Sequence, residues 1–287
     1  MSADFQEAFK TIHPSVVGIG YRFREGFDIF GTGFVVDDSG WIMTNRHVIE
    51  PLLAQKQGKV DVRVDATAFL FVKMQLADPH FKNAGIRGIP ISQIRFPENK
   101  PLIMDRPFPT VPGMEQGRIF FPELTDVGFC RIELQHCPPE AVPLKPVTII
   151  GSGHVAEGMP VGFLGFPQGL HVSFSSNSPT AIQMTPLLQT GVIAGMLPYS
   201  GLPKPDAFVL DTYVNGGSSG SPLFGTDGKV VGVIYATRKG FEPLVVVDKT
   251  GQQGISSDTG VFLPSALGLA VPSANFVEEI LKLKSNV

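Results

Sequence analysis

Two strand-like runs, residues 208–214 and 229–235, bracket the stretch Asn215-Gly-Gly-Ser-Ser-Gly-Ser-Pro-Leu-Phe224. A strand that breaks into glycine and serine and restarts after Pro222 has few backbone paths, because its bend must use residues free to take positive φ. Among Ser218, Ser219 and Ser221, only Ser219 has glycine at the next position and proline two further on. Its hydroxyl on a tight bend is open to an incoming carbonyl, and the N–H groups of Gly217 and Ser219 can face a developing oxyanion. Composition alone would make this stretch a flexible linker. The strand-like flanks at both ends argue against that.

A second half of the chemistry lies upstream. Residues 34–44, Phe-Val-Val-Asp-Asp-Ser-Gly-Trp-Ile-Met-Thr, read as two short strands joined by an Asp-Ser-Gly turn, and His47 follows in Thr44-Asn-Arg-His-Val48. A lone histidine is most often structural or on the surface, so His47 gains meaning only together with Ser219. Gly31-Thr-Gly-Phe-Val-Val36, Gly40-Trp-Ile-Met-Thr-Asn-Arg-His-Val48 and Asn215-Gly-Gly-Ser-Ser-Gly-Ser-Pro-Leu223 resemble the trypsin-like serine proteases, and within them the HtrA/Deg branch. The resemblance covers most of the chain and lapses between about 51 and 121. It implies an all-β fold of two packed antiparallel β-barrels of the chymotrypsin/trypsin type with a short C-terminal helix. It also implies a serine endopeptidase with His, Asp and Ser in that chain order, acting on protein or peptide substrates through a covalent acyl-enzyme. In that family a PDZ module follows the protease domain; the matching residues here are those of the protease domain alone.

The third member should be a carboxylate that accepts the Nδ1–H of His47. Asp126 is chosen because it opens the alternating apolar run Val127-Gly-Phe-Cys-Arg-Ile132, as HtrA-type sequences do. Asn83 is a rival, since Asp78-Pro-His-Phe-Lys-Asn-Ala-Gly-Ile86 mimics the same region with an amide where the acid would fall. Asp105 is poorer, lying among prolines. The separation of His47 from Asp126 exceeds that of HtrA-type domains, and the excess is read as an insertion.

The expected division is 1–139 for the first barrel, with the insertion over about 51–121, and 140–287 for the second, ending in a helix over about 274–284. A chain of 287 residues with 43% hydrophobic residues can bury one large core or two moderate ones. Its 32 glycines and 25 prolines suit many short strands. A formal charge of -3 offers no basic field for nucleic acid, and no apolar run is long enough for a membrane span. The N-terminus lacks the basic and apolar regions of a secretory signal. Cys130 and Cys137 are the only cysteines, which reads as free thiols in a reducing, intracellular compartment. The remaining histidines show no metal-ligand spacing, so no metal and no cofactor are expected.

Along the chain, residues 3–13 predict a helix with Phe5, Ala8, Phe9 and Ile12 on one face, and residues 15–21 an opening strand, followed by a charged turn over 22–30. Strands are expected at 60–65, 69–76, 147–150, 159–167, 180–184, 188–196, 229–236 and 267–272. Recurrent prolines between 83 and 121 should prevent long regular structure, and serine-rich 170–179 reads as a mobile loop. Ser273 is placed as the N-cap of the last helix, with Phe276, Ile280 and Leu283 facing inward. By analogy with the trypsin-like pocket, Tyr213 forms the floor and Ile234, Tyr235 and Ala236 the opposite wall, favouring small or aliphatic side chains. Ser218 stands where trypsin-type zymogens carry an Asp, so ordering by loops or a regulatory protein partner is the expectation. A non-catalytic, protease-like binding module is the competing class, kept open by Ser221 in place of the family's second glycine.

Overall fold

The computed structural model describes residues 3–56, 58–74, 83–97, 126–137, 144–173, 185–198, 200–201, 204–247 and 253–285. The first barrel is built from β1 (Val16–Phe23), β2 (Gly26–Val35), β3 (Trp41–Thr44), β6 (Ala66–Met74), β7 (Asn83–Arg95) and β8 (Gly128–Ile132). These run in the order β1-β6-β7-β8-β3-β2, and the β1–β2 pairing closes the ring. A small hairpin of β4 (Leu53–Lys56) and β5 (Lys59–Val62) lies outside it.

The second barrel closes through β11 (Leu187–Leu197), β12 (Ala207–Leu210), β15 (Gln253–Pro272), β14 (Val230–Val247), β13 (Pro222–Gly225) and β9 (Pro160–Gly165). Neighbouring strands in both barrels are antiparallel. The remaining strand, β10 (Leu170–Ser173), leaves the second barrel and pairs with β2 of the first.

The period-two geometry of strands explains how one sequence supplies three cores. On β3, Ile42 points into the first barrel with Val17, Ile19, Val35 and Ile132, while its neighbours Trp41 and Met43 join a different cluster. On β9, Phe163 points into the second barrel with Phe208, Leu210 and Ile234, while Leu164 faces the other way. The residues turned outward from each barrel, Phe34, Trp41, Met43, Phe129, Leu164 and Phe224 among them, make the seam that joins the two. Each such side chain, fully buried, contributes roughly 1.5–3 kcal/mol. Strands apolar on both faces show as continuous hydrophobic runs, which is why they were legible in the sequence.

Both ends of the chain cover this seam. The first helix, α1 (Ala3–Ile12), buries Phe5, Ala8 and Ile12. The single turn α2 (Arg46–Ile49) follows β3, and the last helix, α3 (Val277–Ser285), buries Ile280 and Leu283, with Phe276 buried just before it. No described helix is long and apolar enough to cross a membrane.

Several local expectations are corrected. Residues 22–30 are a tight hairpin, with β1 and β2 separated only by Arg24 and Glu25. Prolines do not stop β7, which runs 13 residues through Pro90; that residue precedes the first β7–β8 pair, Ile91↔Ile132, where a missing donor is tolerated. Thus β6 and β7, drawn from the stretch read as an insertion, are barrel strands; residues 98–125, with Asp105, lie outside the described residues.

Residues 170–173 of the supposed mobile loop are strand β10, paired with β2 from Leu170↔Ile29 to Ser173↔Gly26. Residues 147–150 form only an isolated bridge, Ile149↔Val230, and the strand expected at 180–184 lies outside the described residues. Ser273 does not cap α3: it opens a short 3-10 turn and donates its hydroxyl to the Ile150 carbonyl at 2.5 Å, because α3 begins four residues later.

Candidate active site

His47 lies on α2, and Asp126 stands just before β8, the strand paired with β3 from Trp41↔Arg131 to Thr44↔Gly128. That register brings the two residues side by side although they are far apart in the chain. Asp126 Oδ1 accepts the His47 backbone N–H at 3.1 Å, and Oδ2 is hydrogen-bonded to the ring Nδ1. A carboxylate only accepts, so the Nδ1 position carries a proton in this pairing, and in the neutral ring Nε2 is then the atom with the lone pair. The Asp126 backbone carbonyl accepts the buried Asn45 side-chain amide at 2.6 Å, which fixes the approach to α2. Asn83, the rival for this position, instead begins β7 opposite Met74.

Ser219 sits on the bend between β12 and β13, where the backbone groups of the turn are extensively paired. The carbonyls of residues 215 to 219 all accept hydrogen bonds. Asn215 takes the Ser218 N–H at 3.1 Å, Gly216 the Gln168 N–H at 2.5 Å, and Gly217 the Thr32 hydroxyl at 2.7 Å. Ser218 takes the Ser221 N–H at 3.0 Å, and Ser219 the Thr32 N–H at 2.8 Å. The Gly220 N–H goes to the Ile234 carbonyl at 2.8 Å. Within this turn, the N–H groups of Asn215, Gly216, Gly217 and Ser219 have no acceptor among the described residues; Gly216 is exposed, whereas Gly217 is buried and Ser219 half-buried. Among these four are the two donors that the sequence singled out, the N–H groups of Gly217 and Ser219.

Glycine is required at two of these positions. Gly217 has φ +86° and Gly220 φ +87°, and a Cβ would run into the Phe166 carbonyl at the first and the Thr32 carbonyl at the second. Gln168 is also left-handed, at φ +67°, on the turn that presents its N–H to Gly216. The buried Ser221 is accommodated because Gly165 opposite has no side chain to meet its Oγ.

The two halves of the site are tied through buried threonines. Thr44, three residues before His47, donates its hydroxyl to the Thr32 carbonyl at 2.6 Å, and Thr32 in turn holds the Ser219 loop. The Ser219 hydroxyl itself rests on the Tyr235 carbonyl at 3.4 Å and makes no hydrogen bond to His47. Burial, and then the Asp126 carboxylate nearby, push the Tyr235 phenol above its ordinary range.

The pocket residues fare unevenly. Tyr213 is 42% exposed, and its neighbour Val214 is buried, packed where a Cβ on Gly268 would fall. Ile234 belongs to the core of the second barrel and reaches the bend only through its backbone, because strand alternation turns its side chain inward. Tyr235 is at the site through its carbonyl, and Ala236 continues β14 opposite Leu269. Asp211 accepts the Val192 N–H at 2.7 Å, a structural bond within the barrel. Thr32, Thr44 and Gln168 went unnoticed in the sequence; the one signal was the pair of glycines flanking Thr32 in Gly31-Thr-Gly33. The described residues contain no cluster of His, Cys, Asp and Glu arranged to hold a metal.

Two closed six-stranded barrels, one carrying the His47–Asp126 pair and the other the Ser219 bend, define a chymotrypsin-like double-barrel protein. The chain belongs to the trypsin-like peptidase domain family, whose model matches residues 31–233. No curated protein matches it. Among solved structures, it is similar to the HtrA-type protease AlgW with a decapeptide at 15% identity and a TM-score of 0.49, covering 98% of this chain and 67% of that one. A serine endoprotease from Yersinia pestis is similar at 18% identity and a TM-score of 0.48, covering 98% and 68%. Deg5 is similar at 23% identity and a TM-score of 0.46, covering 82% and 85%. The chain spans about two thirds of the length of the AlgW structures.

Proposed function

We propose that this chain is a serine endopeptidase in which His47, Asp126 and Ser219 act as a triad and the N–H groups of Gly217 and Ser219 form the oxyanion hole. Residues 1–139 would supply the base and its orienting acid, and residues 140–287 the nucleophile. The observation that carries the reading is the hydrogen bonding of the Ser219 bend: every carbonyl from 215 to 219 is taken, and the N–H groups of Gly217 and of Ser219 itself are among those left without an acceptor in the described residues.

In the forward reaction Ser219 Oγ leaves the Tyr235 carbonyl for His47 Nε2, gives up its proton there, and attacks the scissile carbonyl. The new C–O⁻ lies against the N–H groups of Gly217 and Ser219, and Asp126 stabilises the imidazolium through Nδ1. His47 then protonates the leaving amine, and water hydrolyses the acyl-enzyme by the reverse assignment of roles. An extended substrate pairs with the edge of β14 near Tyr235, the usual strand-addition route.

The resting place of the Ser219 hydroxyl on Tyr235 supports a latent form that a regulatory partner or ligand engages. The free thiols of Cys130 and Cys137 support a reducing, intracellular setting. Labelling of the purified protein with a fluorophosphonate probe, compared with Ser219→Ala and with peptide turnover, is the test. Ser219-dependent labelling with turnover supports the active protease, and labelling without turnover the latent one. Absence of labelling overturns the reading in favour of a protease-like binding module.

A further inference from the structure

We propose that Thr32 is a positioning residue for the reaction, setting the direction of the Ser219 N–H by clamping the peptide planes on either side of it. The inference rests on the oxyanion-hole reading of the Ser219 bend.

A trans peptide carries its C=O and N–H in opposite directions in one plane, so holding a carbonyl aims the N–H of the next residue. The Ser219 N–H shares a plane with the Ser218 carbonyl, which the Ser221 N–H holds at 3.0 Å. The two flanking planes are those of the Gly217 and Ser219 carbonyls, and Thr32 binds both, the first through its hydroxyl at 2.7 Å and the second through its backbone N–H at 2.8 Å. One residue therefore grips the chain before and after the oxyanion donor and the nucleophile. The same two planes are also held by the Ser218 N–H on the Asn215 carbonyl at 3.1 Å and by the Gly220 N–H on the Ile234 carbonyl at 2.8 Å, but Thr32 is the one residue that binds both, and residue 217, a glycine at φ +86°, has no side chain of its own to confine its plane.

The Thr32 hydroxyl is fully committed. Its one proton goes to Gly217, and its lone pair accepts the Phe166 N–H at 3.1 Å. Thr32 is 0% exposed, so no water stands ready to take its place. It is itself anchored by the Thr44 hydroxyl on its carbonyl, on the strand that leads to His47. The same residue that aims the oxyanion donor thus also references it to the first barrel, where the base is held.

The test compares Thr32→Val, which keeps the shape and loses the hydroxyl, with Thr32→Ser, which keeps the hydroxyl. In Thr32→Val kcat falls roughly 100-fold, the lower range for loss of an oxyanion donor, while KM stays within about threefold. Affinity for a peptide boronate falls in parallel with kcat/KM, and Thr32→Ser restores kcat to within about fivefold of wild type. Failure of the underlying reading shows in the wild type itself, as absence of Ser219-dependent labelling. Given an active wild type, the proposal is overturned by a folded Thr32→Val with kcat within about twofold, or by a Thr32→Ser as impaired as Thr32→Val. If Thr32→Val does not fold, Thr32→Cys is compared with Thr32→Ser: the weaker thiol donor lowers kcat about tenfold if the proposal holds, and equal rates overturn it.

Discussion

Replacing Asp126 by asparagine leaves the shape of the site almost unchanged and should nevertheless stop the enzyme. The carboxylate serves two donors of one residue at once: Oδ1 takes the His47 backbone N–H at 3.1 Å and Oδ2 faces the ring Nδ1. An amide has only one oxygen. If that oxygen keeps the backbone N–H, the amide NH₂ faces Nδ1, which must then accept, and the neutral ring carries its proton on Nε2. In that tautomer His47 cannot take the Ser219 proton.

If the amide is turned the other way, its NH₂ confronts the His47 backbone N–H and the turn at α2 is disturbed. Either way the charge that would stabilise the imidazolium is gone. The expected loss in kcat is about 10⁴-fold, equivalent to about 5.4 kcal/mol of transition-state stabilisation. Initial rates on a fluorogenic peptide and the second-order rate of fluorophosphonate labelling should both fall, with the thermal midpoint moved by only a few degrees. An asparagine variant that turns over within tenfold of wild type would refute the assignment of Asp126.

Gly220→Ala forces a side chain into φ +87° and against the Thr32 carbonyl, at a cost of about 1–2 kcal/mol for the conformation and about 1–3 for the overlap. Urea titration should therefore show a loss of several kcal/mol, and a loss under about 1 kcal/mol would contradict the close approach. Burial pushes the Cys130 thiol up to about 12 from 9.0, so it stays neutral in the native state while the half-buried Cys137, also raised by burial, remains accessible. Native alkylation near neutral pH should mark Cys137 and spare Cys130. Because the unfolded thiol ionises first, the contribution of Cys130 to stability is complete below about 9 and declines as pH rises toward about 12. Cleavage profiles from a peptide library should favour small or aliphatic P1 residues, since Tyr213 offers no carboxylate and Val214 is packed against Gly268. Dominance of Arg would contradict that pocket.

Much of the candidate site was readable locally. Ser219 announces itself because a bend with two left-handed positions needs glycines at fixed offsets, and those are visible in a string of letters. His47 could be placed because the strand β3 before it is apolar on both faces, and Asp126 because an equally apolar strand follows it. The helix faces of α1 and α3 were legible for a similar reason, as their 3.6-residue spacing is a local property. The pocket was less legible. Whether the side chain of residue 213, 214 or 234 meets a substrate depends on strand rotation and barrel closure, and the burial of Val214 and Ile234 beside an exposed Tyr213 has no signature in the one-dimensional order.

What the amino-acid order determined by itself was the torsional and periodic content: where the chain must bend, which runs are apolar on two faces, and which hydroxyl and imidazole stand in motifs. What only the folded molecule decided was which distant groups share hydrogen bonds. Thr32 meets Gly217 across 185 residues, His47 meets Asp126 across 79, and the strand at 170–173 crosses to the opposite barrel. A hydrogen bond is decided within a few tenths of an ångström and a few tens of degrees, and that relation is set by the closure of both barrels and the packing of their common seam.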